Sequence, residues 1–351
     1  GDEFAKNKMI LFVRPDSGYA FASITWAGFM GVVSGMNEHG LTVTLNAAKS
    51  SVPNGAKTPI SILAREILQY ARTIDEAYII AKSRETFVSE SILIGSAAGG
   101  KAAIIEKSPD GIDIFYSSEN KLVCSNHYQS ERFLKTQVNQ DNIKNSDSFY
   151  RYKRMSQLLN QRDTVSVNAA VEMLRNQEGI DGVSLGMGNP KAVNQLLAHH
   201  GVVFLPHKRQ MWVSTSPFQL GAFLCYDLNQ MFSESYKSPS AKGVYVDSLV
   251  IVSDVFLTTE NYQDFLRYKE LKNRLFEFVA LGRKIEWNEA LEEEFVHSNA
   301  ENYITYSMLG DYYLELDNLE KAKKLYAIAL SKEVASLQER KQIQKNLELC
   351  H

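Results

Sequence analysis

The sequence predicts an α+β fold of four layers over residues 1–258, with two antiparallel sheets between helix layers (αββα), and an all-helical appendage over 259–351. Three observations predict it. Short β-rich runs arrive in hairpin-connected groups, as antiparallel sheets require. Pairs of helical segments fall between those groups, which supplies covering layers. From about Tyr262 the β-rich runs stop and the composition becomes helical and charged.

The elements follow in order. Met9–Val13 and Tyr19–Trp26 are β-rich and separated by the turn Pro15-Asp16-Ser17-Gly18. Gly31–Met36 and Leu41–Ala47 form a hairpin through Asn37-Glu38-His39-Gly40, where Asn and Gly tolerate positive φ. Ile60, Leu63, Ala64, Ile67, Leu68 and Ala71 have helical spacing. Thr73 caps a second helix to about Ala81, with Glu76 placed to complete a capping box. Strands are expected at Ser91–Gly95, Ala102–Lys107, Ile112–Ser117 and Lys121–Ser125, then helices at Arg151–Asn160 and Val165–Arg175. Val202–Leu205, Met211–Ser214 and Gly221–Tyr226 close the β-structure.

In the tail, Tyr306, Leu309, Gly310, Tyr313, Ala322, Tyr326 and Ala329 fall on the spacing of a tetratricopeptide repeat, with Val334 where Pro usually closes it. Small residues there let two antiparallel helices approach, and large ones fill the groove. A single repeat cannot bury its own faces, so a hairpin centred on Asn318 is expected to pack on another element, with Leu309 and Ala322 buried.

Composition narrows the function. The formal charge is −3, and no basic run is interleaved with aromatics, so nucleic acid is not an expected partner. No stretch approaches the roughly 20 apolar residues of a membrane span. Cys124, Cys225 and Cys350 lie far apart and form no disulfide framework. His199, His200 and His207 have no Cys or carboxylate at ligand spacing, so neither a metal nor another cofactor is expected.

Three segments carry chemistry as an ordered set. Gly35-Met36-Asn37-Glu38-His39-Gly40-Leu41 is followed by Leu45-Asn46-Ala47; Cys124-Ser125-Asn126-His127 comes next, then Ser148-Phe149-Tyr150-Arg151-Tyr152. Their order and spacing, with Thr58-Pro59 and Trp212-Val213-Ser214, resemble the N-terminal-nucleophile amide hydrolases and acyltransferases of the choloylglycine hydrolase and penicillin acyltransferase type, from about Lys8 to Leu228. The resemblance implies an N-terminal Cys that attacks an amide or thioester carbonyl with its own α-amine as base. It implies that Asn46 and Asn126 hold the oxyanion and that Arg151 supports the nucleophile. Glu38 is expected to fasten its hairpin, and His127 to be a packing or hydrogen-bonding neighbour and not a base. No such Cys stands at Gly1, so the resemblance places it upstream, with part of the domain, and this chain alone is expected to be inactive.

The expected partners are a small N-acyl substrate and the upstream segment of the same precursor. A rival reading is a degenerate member of the fold whose helical tail binds a protein. Gly182-Val183-Ser184-Leu185-Gly186 matches the nucleophile elbow of serine hydrolases, but Glu178-Gly179-Ile180-Asp181 offers no strand before it. Gly95-Ser96-Ala97-Ala98-Gly99-Gly100 lacks the following Lys-Ser/Thr of a phosphate loop and reads as a hairpin turn.

Overall fold

The computed structural model describes residues 6–50, 55–234 and 244–350. Two compact units divide the chain. One contains Gly1–Ile143, Met155–Leu174 and Leu197–Ser253; the other contains Lys144–Arg154, Arg175–Leu196 and Asp254–His351.

The first unit is built on a seven-stranded sheet in chain order: β1 (Lys8–Val13), β2 (Phe21–Trp26), β3 (Ser34–Asn37), β4 (Leu41–Ala47), β5 (Glu90–Ser96), β6 (Lys101–Ser108) and β7 (Gly111–Phe115). Every neighbouring pair is antiparallel. A second sheet holds β8 (Val202–Leu205), β9 (Gln210–Ser214) and β10 (Phe223–Asp227), with β9 central.

Alternation of side chains assigns the layers. Leu41, Val43, Ile92, Ile94, Ala103 and Ile105 face helices α1 (Ile60–Tyr70) and α2 (Ile74–Ser83) and bury Leu63, Ala64, Ile67, Leu68, Ala77 and Ala81. On the other face Ala22, Ile24 and Met36 meet Met211, Val213 and Tyr226 of the small sheet. The far side of that sheet, Trp212, Phe223 and Cys225, packs on Val171 of a helix at Val167–Arg175. This is the expected αββα order. Each fully buried aliphatic side chain stabilises such a core by about 1.5–3 kcal/mol.

The Asn37–Gly40 turn is more than a turn. Asn37 is fully buried; its Nδ2 donates to the carbonyls of Leu68 (2.9 Å) and Ala71 (2.7 Å), and its Oδ1 accepts from the N–H groups of His39 and Leu41. It satisfies carbonyls at the end of α1 that the helix itself leaves unpaired. Glu38 fastens the hairpin by accepting from Ala20 N (3.0 Å). Thr73 Oγ1 caps α2 by accepting from Glu76 N, and Glu76 reaches back to Arg72 N.

Two elements differ from expectation. Lys121–Ser125 forms no ladder, because β7 ends the sheet and the segment instead leads into a loop. Two short helices follow it, α3 (Glu131–Leu134) and α4 (Gln137–Asn145). The buried residues of α4 are Asn139 and Asn142, so it has no apolar periodicity to read. After α4 come α5 (Ser148–Asn160) and α6, the helix at Val167–Arg175.

In the second unit the tail is helical throughout: after α7 (Leu228–Met231) of the first unit come α8 (Glu260–Leu281), α9 (Glu289–Ser298), α10 (Tyr303–Glu315), α11 (Leu319–Ser331) and α12 (Leu337–Glu348). Asn318 caps α11, and Leu309 and Ala322 are fully buried. Gly310 lets α10 approach α11, since a Cβ there would stand 2.6 Å from the Tyr326 ring. Gly310→Val is therefore expected to destabilise the tail by about 1–3 kcal/mol, read as an earlier urea midpoint with unchanged slope. No helix of the described residues is long and apolar enough to cross a membrane.

Candidate active site

Asn46, Ser91 and Glu106 form one cross-strand row, since Asn46 pairs with Ser91 and Ser91 with Glu106. Alternation puts all three on the face of the large sheet away from α1 and α2. The row lies at the sheet end where β4 and β6 finish and β5 begins.

Asn126 is brought to the same place by a loop. Its Nδ2 donates to Ala47 O at 2.9 Å, beside Asn46. The loop is pinned from several directions. Glu106 is fully buried and accepts from Gln129 N (2.5 Å), Ser130 N (3.0 Å) and Ser130 Oγ (2.6 Å). Tyr128 donates through its hydroxyl to Lys107 O (2.7 Å), and Asn139 holds both Tyr128 N and Tyr128 O. Asn142 Nδ2 donates to Asn126 O at 2.6 Å. The carboxylate in the row thus fastens the loop that presents Asn126. Burial pushes the Glu106 carboxyl above its ordinary value, while its hydrogen bonds oppose the rise. His127 is buried beside Asn126 in the chain.

Neither Cys124 nor Cys225 is placed as a nucleophile. Cys124 lies against the row, but burial pushes its thiol up to about 12 and Glu106 adds to the rise; Ser91 and Asn46 beside it only partly offset this. Burial also holds Cys225 at about 12. A thiol so placed is almost wholly protonated at neutral pH. Ser184 is exposed and follows a 3-10 turn at Ile180–Gly182, not a strand, which removes the elbow reading. The Gly95–Gly100 segment joins β5 to β6 as a hairpin turn.

A Ser–His pair also stands at this end of the sheet. Ser34 Oγ and His200 Nε2 are 3.1 Å apart, and the Trp26 ring centroid is 6.0 Å from that of His200. Among the described residues His200 Nδ1 is buried without a hydrogen-bond partner, so none of their carboxylates orients the ring as a base. Burial, with Lys8 and His199 adding, pushes His200 down to about 4. The folded value lies below the unfolded one of about 6.5, so stability is lost as pH falls from about 6.5 to about 4. Glu90 acts oppositely: burial raises it to about 7, so its contribution falls as pH rises from 4.5 to about 7. His200→Asn is expected to remove about 2 kcal/mol of acid sensitivity. Urea midpoints of both proteins at pH 7 and pH 5 measure it, and equal acid losses would refute it.

Arg151 lies on the first turns of α5, in the second unit. Its Nη1 donates to Pro190 O (3.0 Å) and pairs with Asp147 (2.9 Å). The structure therefore joins Asn46 to Asn126 in one unit and holds Arg151 firmly in the other.

The chain resembles several known proteins. Over 101 residues it is 28% identical to protein dcd1A of Dictyostelium discoideum, covering 28% of this chain and 23% of that protein. Over 179 residues it is 22% identical to a protein of Archaeoglobus fulgidus, covering 44% and 29%. The matches thus span less than a third of either relative's length. Among solved structures, a conjugated bile acid hydrolase from Clostridium perfringens is 12% identical with a TM-score of 0.41, covering 64% of this chain and 85% of that one. A family model, acyl-coenzyme A:6-aminopenicillanic acid acyl-transferase, matches residues 3–217, more than half of the sequence. The chain belongs to the acyl-coenzyme A:6-aminopenicillanic acid acyl-transferase family.

Proposed function

We propose that this polypeptide is the body of an amide hydrolase or acyltransferase acting on linear C–N amide bonds of N-acyl substrates. The observation that carries the proposal is the seating of two neutral amide side chains, Asn46 and Asn126, at one sheet end, with the second tied to the strand of the first.

Amide N–H donors of this kind stabilise charge only as it develops on a carbonyl oxygen. The reaction then needs an attacking group. The resemblance to the N-terminal-nucleophile hydrolases supplies it: the nucleophile is proposed to be an N-terminal Cys outside these residues, activated by its own α-amine. Burial keeps Cys124 and Cys225 from competing for the role. Its sulfur attacks the amide carbonyl and its proton passes to the amine. The tetrahedral oxyanion sits on donors from Asn46 and Asn126. Collapse breaks the C–N bond, the leaving amine takes the proton, and a thioester remains. Water or a second amine then releases the acyl group. Arg151 is proposed, from its place in the ordered set, to stabilise the thiolate and amine region through its rigid fork of donors.

The test is turnover of N-acyl amino acids, a conjugated bile salt and a penicillin by the 351-residue chain and by the form carrying its upstream segment. Turnover by the extended form alone is expected. Turnover by the chain alone that Cys124→Ala abolishes would refute the assignment.

A further inference from the structure

We propose that the helical tail is a positioning element for Arg151, acting through the turn at residues 185–191. All the contacts lie within one compact unit. Its consequence for catalysis rests on the function proposed above; the structural statement does not.

The links run in one line from tail to guanidinium. Met187 is clamped at both backbone groups: its N–H donates to Asn299 Oδ1 (2.9 Å), and its carbonyl accepts from Asn299 Nδ2 (2.8 Å) and Asn302 Nδ2 (2.9 Å). Asn299 and Asn302 are buried, so these side chains are spent on holding the turn. Gly186 has φ +74° and sits against the Asn302 backbone, where a Cβ would collide with it. Asn189 is fully buried and donates to Leu185 O and to Glu333 O, both at 3.0 Å. Lys191 Nζ meets Glu333 Oε2 at 2.7 Å and lies 4.6 Å from the Tyr150 ring centroid. Between Asn189 and Lys191 stands Pro190, whose carbonyl accepts from Arg151 Nη1.

One turn of α5 further on, Arg154 repeats the arrangement. It is almost fully buried and bonds Asn176 (3.0 Å) and Glu178 (2.9 Å), while Asn194 N donates to Asn176 O and closes the loop. The tail therefore fixes the turn, and the turn fixes the carbonyl on which the Arg151 fork is registered. A misplacement of about 1 Å in a positioning group costs up to about 100-fold in rate, so a register set by the tail has catalytic weight. The family match ends at residue 217, and the anchors Asn299, Asn302 and Glu333 lie beyond it.

The experiment uses the full chain with labelled arginine and follows the guanidinium NMR signals of Arg151, assigned by their loss in Arg151→Lys. Lys191→Glu and Glu333→Lys are expected to move these signals toward the values of a freely rotating arginine. The double charge swap is expected to restore them. Arg274→Glu, which breaks the 2.5 Å pair with Glu270 within α8 and touches none of the anchors, should leave them in place. Asn189→Ala should have the largest effect; if it does not fold, the charge-swap series decides. In the catalytically complete form the two single charge variants should lower kcat about tenfold with KM changed less than twofold. Signals unmoved in both single variants, with tail helicity intact, would overturn the proposal. Displacement of the signals in Arg274→Glu would overturn it too. Absence of turnover in every form would instead refute the proposed function and leave the NMR result to decide this one.

Discussion

Asn126→Ala, in the form that turns over substrate, is expected to lower kcat by about 10²–10³ with little change in KM. A donor aimed at developing negative charge contributes in the transition state and hardly at all in the ground state. Asn46→Ala should behave alike, and the double variant should lose less than the product of the two, because both donors serve one oxygen. The Asn126 amide also ties the loop to Ala47 O, in a part-exposed position where a hydrogen bond contributes about 1 kcal/mol. A kcat loss accompanied by a stability loss of that size or smaller therefore separates chemistry from folding. A variant that raises KM and leaves kcat alone would assign Asn126 to substrate binding instead.

Glu106→Leu should do damage of a different kind. The substitution strands two backbone N–H groups and the Ser130 hydroxyl in a buried site. Each buried donor left unsatisfied costs about 1–3 kcal/mol, so a loss of roughly 3–5 kcal/mol is expected, read from urea unfolding. The loop that presents Asn126 would also come away from the row, and activity should fall with it. Glu106→Gln keeps one acceptor oxygen but sets an NH₂ group against N–H donors, so its loss should be intermediate. Full activity in Glu106→Leu would show that Asn126 is placed by something other than this carboxylate.

The layers were readable because alternation and helical spacing are local signals. Leu41 and Val43 against Thr42 and Thr44, or Leu63, Ala64, Ile67 and Leu68, declare their faces within a few residues. The hairpin at Asn37–Gly40 was readable as a turn, but not the burial of Asn37 on carbonyls about thirty residues away, which is a tertiary fact. Asn46 and Asn126 were candidates only through their order in the chain; their meeting depends on Glu106, which sits in the apolar run Ala102–Lys107 and carries no motif. Its signal was a carboxylate on the same strand face as Ile104, a place where a charge requires donors. Helix α4 escaped because it buries Asn139 and Asn142, and Lys121–Ser125 read as a strand because β-propensity does not reveal that the sheet has already ended.

The most direct measurement is a crystal structure of the form with its N-terminal Cys, reacted with a trifluoromethyl ketone that carries the acyl chain of an N-acyl substrate. The thiol adds to the activated ketone carbonyl, its proton passes to the carbonyl oxygen or the α-amine, and the resulting hemithioketal oxygen occupies the oxyanion position. That oxygen is expected about 2.7–3.1 Å from a donor of Asn126 or Asn46, the range at which an oxyanion donor acts. An adduct on the N-terminal Cys whose oxygen is held by other donors, with Asn46 and Asn126 turned away, would contradict the assignment of these two residues.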